Sequence, residues 1–137
     1  MNVLILGCGT IGGMVAAILG ARGHRCVGVR RTAAPPVEGV STMVGDLADP
    51  ALYRRLDTSF DAVLISANPG FRRGRDNGLA AGALLVGAQL PRARLVYSGT
   101  TAVYADAGGA DVDESGALAD DPAVAGLLAI ERAVCAH

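Results

Sequence analysis

Lysine and tryptophan are both absent from this sequence of 137 residues, and aromatic residues make up only 4% of it. All 12 basic residues are therefore arginines, which excludes any chemistry that depends on a lysine ammonium. The formal net charge of −1 gives no excess of basic residues of the kind that attracts nucleic acids or anionic membrane surfaces. We therefore expect no nucleic-acid partner and no membrane partner.

Cysteine is also scarce. Cys8, Cys26 and Cys135 lack the spacing of metal ligands, and an odd number leaves at least one of them unpaired. We expect no metal site and interpret all three as reduced thiols, which predicts a cytoplasmic protein. The apolar run at the start of the chain is too short to cross a membrane, and it lacks the basic flank and cleavage site of a signal peptide.

Apolar segments of two kinds alternate along the chain, which is 51% hydrophobic and 18% charged. Short runs predict strands at 3–6, 25–29, 42–44, 62–66 and 94–98. Longer segments with helical spacing or helix start signals predict helices at 12–22, 50–56, 76–90 and 122–136. Five strands joined by helices predict one α/β domain over residues 1–137, a Rossmann-type doubly wound parallel sheet with flanking helices.

A glycine-rich motif, G-x-G-x-x-G, lies between the first strand and the first helix. Gly7 suits a tight turn, Gly9 admits a pyrophosphate close to the backbone, and Gly12 lets the helix pack on the strand. Thr10 and Ile11 complete the motif just before the predicted helix, whose N-terminus would face the phosphates. The motif predicts a dinucleotide-binding site, with a structural glycine turn as the alternative.

Two arginines end the second strand. Arg30 and Arg31 lie about 20 residues beyond the glycines, where an acidic residue would accept the ribose 2′-hydroxyl of NAD. Arginine suits the 2′-phosphate of NADP instead, so the sequence favours NADP over NAD as cofactor. A solvated basic pair at a strand end is the alternative.

Further candidate residues follow the third and fourth strands. Asp46 could bind the adenine amino group while Leu47 packs on the ring, although Asp46 would serve equally as a helix N-cap or loop aspartate. Ala67 follows the fourth strand, where its small side chain would allow the cofactor to approach. The basic stretch 71–75 (FRRGR) is interpreted either as a site for an acidic substrate or phosphate or as a solvated loop.

Four segments together resemble the extended and atypical short-chain dehydrogenase/reductases, the NAD-dependent epimerase/dehydratase superfamily. They are residues 7–12 (GCGTIG), 45–47 (GDL), 96–104 (VYSGTTAVY) and 112–115 (VDES). The resemblance implies an oxidoreductase in which the hydroxyl of Thr100 hydrogen-bonds the substrate oxygen as the catalytic Ser or Thr of that family does. It also implies a structural role for Tyr104.

Departures from the family pattern are equally clear. The family's Tyr-x-x-x-Lys pair is missing, with Ala123 and Leu127 at the matching positions. Family members run to about twice this length, so the resemblance implies that the C-terminal substrate region is absent. We then expect exposed apolar residues on the last helix that favour a homodimer. They are Val124, Leu127, Leu128, Ile130 and Val134.

Two functional hypotheses remain open. The first is an NADP(H)-dependent oxidoreductase that reduces a small carbonyl or acts on a nucleotide-sugar-like substrate. The second is a non-catalytic NADP(H)-binding or redox-sensing module. A third interpretation, the N-terminal half of an unrelated enzyme with the same glycine motif, is weakened by the segment 96–104.

Overall fold

Five parallel strands form a single twisted sheet. The computed structural model describes residues 1–33, 39–71, 74–105 and 108–137. The strands are β1 (Asn2–Leu6), β2 (Arg25–Arg30), β3 (Val40–Val44), β4 (Ala62–Ile65) and β5 (Arg94–Tyr97). Their order across the sheet is β3-β2-β1-β4-β5, and every neighbouring pair is parallel. The predicted Rossmann-type sheet is confirmed.

β1 lies at the centre of the sheet because its side chains are apolar on both faces. Leu4, Ile5 and Leu6 are fully buried, and Leu4 pairs with Val27 on one side and Val63 on the other. Such a continuous apolar run is typical of a parallel strand that is covered on both faces.

Helices cover the two faces of the sheet unequally. They are α1 (Thr10–Ala21), α2 (Pro50–Arg54), α3 (Leu79–Gln89) and α4 (Pro122–Cys135), with a short 3-10 helix at Thr101–Val103. Within the described ranges, α1 alone contributes helix residues to the core cluster on one face, through Ala16 and Leu19. The larger cluster on the other face includes residues of α2, α3 and α4.

The start of α3 differs from the prediction by three residues. Asp76 accepts a hydrogen bond from the backbone N–H of Gly78 at 2.8 Å, and Gly78 adopts a left-handed conformation with φ +65°. The helix therefore begins at Leu79 rather than at residue 76, because the turn around Gly78 interrupts helical geometry.

The expected exposed surface on the last helix is wrong, because none of the five residues is exposed: Leu128 and Val134 are half-buried against the core clusters, and the other three are buried. Val124, Leu127 and Ile130 are only 5%, 4% and 0% exposed, respectively. Ile130 belongs to the main core, whereas Val124 and Leu127 pack with Val103 of the 3-10 helix. These side chains are covered by the chain itself, so they offer no apolar surface for a second copy.

No helix in the described part of the chain combines the length and apolar character needed to cross a bilayer. Among those same residues, no group of histidine, cysteine, aspartate or glutamate side chains is arranged to hold a metal ion.

Candidate functional site

The glycine loop after β1 is fixed by contacts that only glycine permits. Gly7 has a φ of +94°, and a Cβ there would lie 2.5 Å from the backbone nitrogen of Ala67. The backbone N–H groups of Gly7 and Cys8 both donate to the carbonyl of Val29, at 3.0 and 2.8 Å. The loop is thus held between the ends of β2 and β4, and a side chain at position 7 would separate them.

Gly12 fixes the helix against the loop. A Cβ at this position would lie 2.6 Å from the Gly7 carbonyl oxygen and 2.7 Å from Ser66 Oγ. Ser66 Oγ itself donates to the Gly7 carbonyl at 3.0 Å. Gly12 is buried behind the loop, so its role is close packing of α1 rather than contact with a ligand.

Gly9 is different because a Cβ there would meet no atom of the described residues within 4 Å. It is the N-cap residue of α1, and no side chain caps the helix or places an acidic group in its first turn. The first N–H groups of α1 thus remain without a side-chain partner beside an open space. A helix start of this kind has donors and a positive dipole end that suit an anion.

A cleft of about 700 Å³ opens at the carboxyl edge of the sheet, lined by residues that follow β1, β2, β3 and β4. Nine of the ten cofactor residues predicted from the sequence line it, and Gly12 lies behind it. The nine are Gly7, Gly9, Thr10, Ile11, Arg30, Arg31, Asp46, Leu47 and Ala67.

Arg30 has a buried hydrogen-bond donor that no acceptor satisfies among the described residues. Its Nε is buried and has no hydrogen-bond partner among the described residues. The one ion pair found among those residues joins Arg25 to Asp57 at 3.9 Å, on the surface. A buried guanidinium nitrogen without an acceptor is costly, so this atom marks a place where an anionic group would fit.

Asp46 and Leu47 line the cleft near the end of β3. Asp46 Oδ1 accepts the backbone N–H of Ala48 at 3.0 Å, so the carboxylate shapes the loop; the helix N-cap is Asp49 instead. Leu47 is 9% exposed, and its side chain packs in the main core while also bordering the cleft. The structural role expected for Asp46 as a loop aspartate is therefore observed, and the position also lines the cleft.

Cys8 is enclosed within the glycine loop. A Cβ at Gly28 would lie 2.5 Å from Cys8 Sγ, so Gly28 makes room for the thiol. Burial raises the pKa of the Cys8 thiol, and the charge of Arg30 offsets part of that rise. A buried thiol of raised pKa is poorly nucleophilic, which fits a packing role.

Thr100 lies outside the residues that line this cleft. It follows β5, and the chain after β5 is tied to β4 by the Ser98 N–H, which donates to the Ile65 carbonyl at 2.9 Å. Thr100 Oγ1 accepts the Ala102 N–H at 3.2 Å and caps the 3-10 helix. The side chain is exposed, and its hydroxyl proton remains available for donation.

A carboxylate lies beside Gly99, the residue before Thr100. A Cβ at Gly99 would lie 3.2 Å from Glu131 Oε1, so this carboxylate of α4 reaches the end of β5. Burial, and secondarily the charge of Glu131, raise the pKa of Tyr97. Tyr104 packs against the cluster of Val103, Val124 and Leu127, in keeping with a structural role.

The basic stretch 71–75 is only partly described, since Arg72 and Arg73 lie outside the described residues. Arg75 lines the cleft, together with Asp76 and Asn77. These three residues were not predicted as cofactor residues. A signal was available, because they precede a helix that follows β4 and such segments lie at the carboxyl edge of a parallel sheet.

Solved structures with this fold are numerous, whereas no family model and no curated protein matches the sequence. A short-chain dehydrogenase/reductase superfamily protein from Agrobacterium tumefaciens with bound NAD is 22% identical, with a TM-score of 0.80 over 100% of this chain and 45% of that one. UDP-N-acetylglucosamine 4-epimerase from Bacillus cereus is 16% identical, with a TM-score of 0.78 over 99% of this chain and 50% of that one.

A third similar structure is a human epimerase family protein with NADPH. It is 23% identical, with a TM-score of 0.68 over 98% of this chain and 48% of that one. This chain thus spans about half the length of the structures it matches. Its sheet and helices have the Rossmann fold found in solved structures of short-chain dehydrogenase/reductases and nucleotide-sugar epimerases.

Proposed function

We propose that the carboxyl-edge cleft binds a nicotinamide dinucleotide and prefers the form that carries a 2′-phosphate, NADP(H). The observation that carries this proposal is Arg30, whose buried Nε lacks an acceptor at the end of β2. Residues 29–32 (VRRT) contain no carboxylate that could accept a ribose 2′-hydroxyl. A phosphate would supply both the acceptor atoms and the negative charge that this position lacks.

The other residues of the cleft have complementary roles in this proposal. The open space at Gly9 and the uncapped start of α1 receive the pyrophosphate. Asp46 accepts the adenine amino group, and Leu47 and Ala67 border the ring. The solved structures of this fold with NAD and with NADPH support a dinucleotide ligand, and both cofactor forms occur among them.

The test is a calorimetric titration of the full chain with NADPH and NADH, compared between wild type and Arg30→Ala. We expect NADPH to bind at least about tenfold more tightly than NADH, since a charge-assisted contact contributes about 1.5 kcal/mol or more. Arg30→Ala should remove most of that difference. Arg92→Ala is the matched control, because Arg92 is an exposed arginine outside the cleft.

No binding of either nucleotide by the wild type would overturn the proposal of a dinucleotide site. Equal binding of NADPH and NADH, unchanged in Arg30→Ala, would leave the dinucleotide site and overturn the preference for NADP(H).

We further propose that the chain is part of a reductase for a small carbonyl or a nucleotide-sugar-like substrate. When bound, a reduced nicotinamide would supply the hydride. The Thr100 hydroxyl, exposed at the carboxyl edge beyond β5, would donate a hydrogen bond to the substrate oxygen. A solved UDP-N-acetylglucosamine 4-epimerase of the same fold supports the nucleotide-sugar class.

A non-catalytic NADP(H)-binding or redox-sensing module is the second candidate, and a separate observation favours it. Leu127, at the position of the family's lysine, is 4% exposed and packs with Val103 and Val124. That place is filled by apolar side chains, and none of the described residues in this cluster carries a cation that could hold a ribose or lower a phenol pKa. Turnover of a carbonyl panel with NADPH that is lost in Thr100→Ala and restored in Thr100→Ser would favour the reductase. Saturable NADPH binding without turnover would favour the module.

A further inference from the structure

A third arginine lines the cleft from a different segment of the chain than Arg30 and Arg31. Arg30 ends β2 and Arg31 follows it, whereas Arg75 belongs to the segment between β4 and α3. β2 and β4 flank β1 on its two sides. Arginines from the end of β2 and from the segment after β4 therefore line one cleft.

The backbone around Arg75 is fixed by hydrogen bonds while its side chain stays exposed. Its N–H donates to the Gly70 carbonyl at 3.2 Å, and the Asn77 N–H donates to the Pro69 carbonyl at 3.1 Å. Asn77 Nδ2 also donates to the Asn68 carbonyl, at 2.9 Å. Gly70 has a φ of +86°, and a Cβ there would lie 3.3 Å from the Cβ of Arg75. The segment presents Arg75 from a defined backbone position.

The contacts of this segment show which end of the cleft lies near Arg75. A Cβ at Gly78 would lie 3.0 Å from the Cα of Ala48, so the turn before α3 touches the loop after β3. Asp46 and Leu47 of that loop are the residues proposed to border the adenine. Arg75 thus lies toward the adenosine end of the cleft.

The neighbouring carboxylates leave the charge of Arg75 available. Asp46 Oδ1 accepts the N–H of Ala48 at 3.0 Å, and Asp76 Oδ1 accepts the N–H of Gly78 at 2.8 Å. Neither carboxylate lies within ion-pair distance of Arg75 in the described ranges. Three arginines and two aspartates line this cleft, which gives it a positive balance.

We propose that Arg75, in the segment that follows β4, binds a phosphate group of the adenosine half of the dinucleotide. This inference rests on the proposed function. A guanidinium offers up to two parallel N–H donors to phosphate oxygens, and its exposed side chain can reach a ligand in the cleft with its backbone fixed. Arg75 therefore adds to the affinity for the adenosine half without contacting the nicotinamide.

The test is a set of calorimetric titrations of wild type, Arg75→Ala and the control Arg92→Ala with four ligands. The ligands are NADPH, adenosine 2′,5′-bisphosphate, adenosine 5′-monophosphate and nicotinamide mononucleotide. We expect Arg75→Ala to weaken NADPH and adenosine 2′,5′-bisphosphate by about tenfold, the cost of one charge-assisted contact. Nicotinamide mononucleotide should change less than about twofold, and Arg92→Ala should match wild type.

The two adenosine ligands identify the phosphate. If Arg75→Ala weakens the binding of adenosine 2′,5′-bisphosphate alone, Arg75 contacts the 2′-phosphate. If it weakens the binding of adenosine 5′-monophosphate equally, Arg75 contacts the 5′-phosphate. Both outcomes support the proposal. Wild-type NADPH affinity in Arg75→Ala, beside weakened binding in Arg30→Ala, would overturn the role of Arg75 alone. An equal loss for nicotinamide mononucleotide would also overturn it. Failure of the wild type to bind NADPH would overturn this inference and the proposed function together.

Discussion

At the scale of single residues, a comparison of Gly9 with Gly13 tests the ligand role of Gly9 separately from any effect of a substitution on the fold. Neither position has an atom within 4 Å of an added Cβ. Gly13 lies inside α1, whereas Gly9 is its N-cap residue beside the cleft. A methyl group at either position is therefore accommodated by the protein, and only the one at Gly9 would occupy the space assigned to the pyrophosphate.

We predict that Gly9→Ala weakens NADPH binding by at least about tenfold while costing no more than about 1 kcal/mol of unfolding free energy. Gly13→Ala should leave binding unchanged and stabilise the protein by about 0.5–1 kcal/mol, since alanine is the better helix residue. Thermal unfolding and NADPH titration of both variants check these outcomes. Unchanged NADPH affinity in Gly9→Ala would contradict the assignment of the pyrophosphate to this loop.

Most residues of the cleft could be predicted from the sequence. Spacing alone brought Gly7, Gly9 and Arg30 to one edge, because the loops after parallel strands meet there. The motif also predicted a packing role for Gly12, which is buried against Ser66, and a close approach of the ligand at Gly9, which faces open space. Arg75 was predicted only as part of a basic stretch that could bind an acidic substrate or phosphate, because its place in the cleft depends on turn geometry around Gly70 and Gly78.

At the scale of elements, a buried phenol joins α2 to the loop that borders the cleft. Tyr53 is 2% exposed, and its hydroxyl donates to the Leu47 carbonyl at 2.7 Å. Gly82 of α3 makes room for this ring, since a Cβ there would overlap the Tyr53 hydroxyl. Burial, and secondarily the charge of Asp46, raise the pKa of Tyr53 to about 12.

We predict a loss of stability in alkaline solution that Tyr53 controls. Because the folded-state pKa of about 12 lies above the ordinary value of 10.0, folding favours the protonated phenol. This contribution, up to about 3 kcal/mol, is complete below pH 10 and is lost as the pH rises from about 10 to about 12. Urea unfolding should show that the free energy of unfolding falls less steeply with pH across this range for Tyr53→Phe than for wild type.

Tyr53→Phe should also cost about 1 kcal/mol at neutral pH, through the lost hydrogen bond to Leu47. If the free energy of unfolding fell equally steeply with pH in Tyr53→Phe and in wild type, the buried environment assigned to Tyr53 would be contradicted. Neither effect was evident from the sequence, where Tyr53 is one residue of a short helix and nothing marks its contact with α3.

At the scale of the whole molecule, the alternation of apolar runs predicted the parallel sheet, and the structure has the five strands in the order β3-β2-β1-β4-β5. The burial of α4 was not predictable in the same way. Its apolar residues were expected to be exposed, but α3 and the 3-10 helix cover Ile130, Val124 and Leu127. Periodicity shows that a helix has an apolar face; it does not show which neighbour packs on that face.

The most direct measurement of the central claim is a backbone amide NMR titration of the full chain with NADP⁺. We predict saturable shifts at Gly9, Thr10 and Arg30, and at the loop after β3, because these amides surround the cleft. The opposite edge of the sheet, where the Asn2 N–H donates to Asp61 at 2.7 Å, should remain unshifted. Shifts confined to that opposite edge, or none at saturating NADP⁺, would contradict a dinucleotide site at the carboxyl edge.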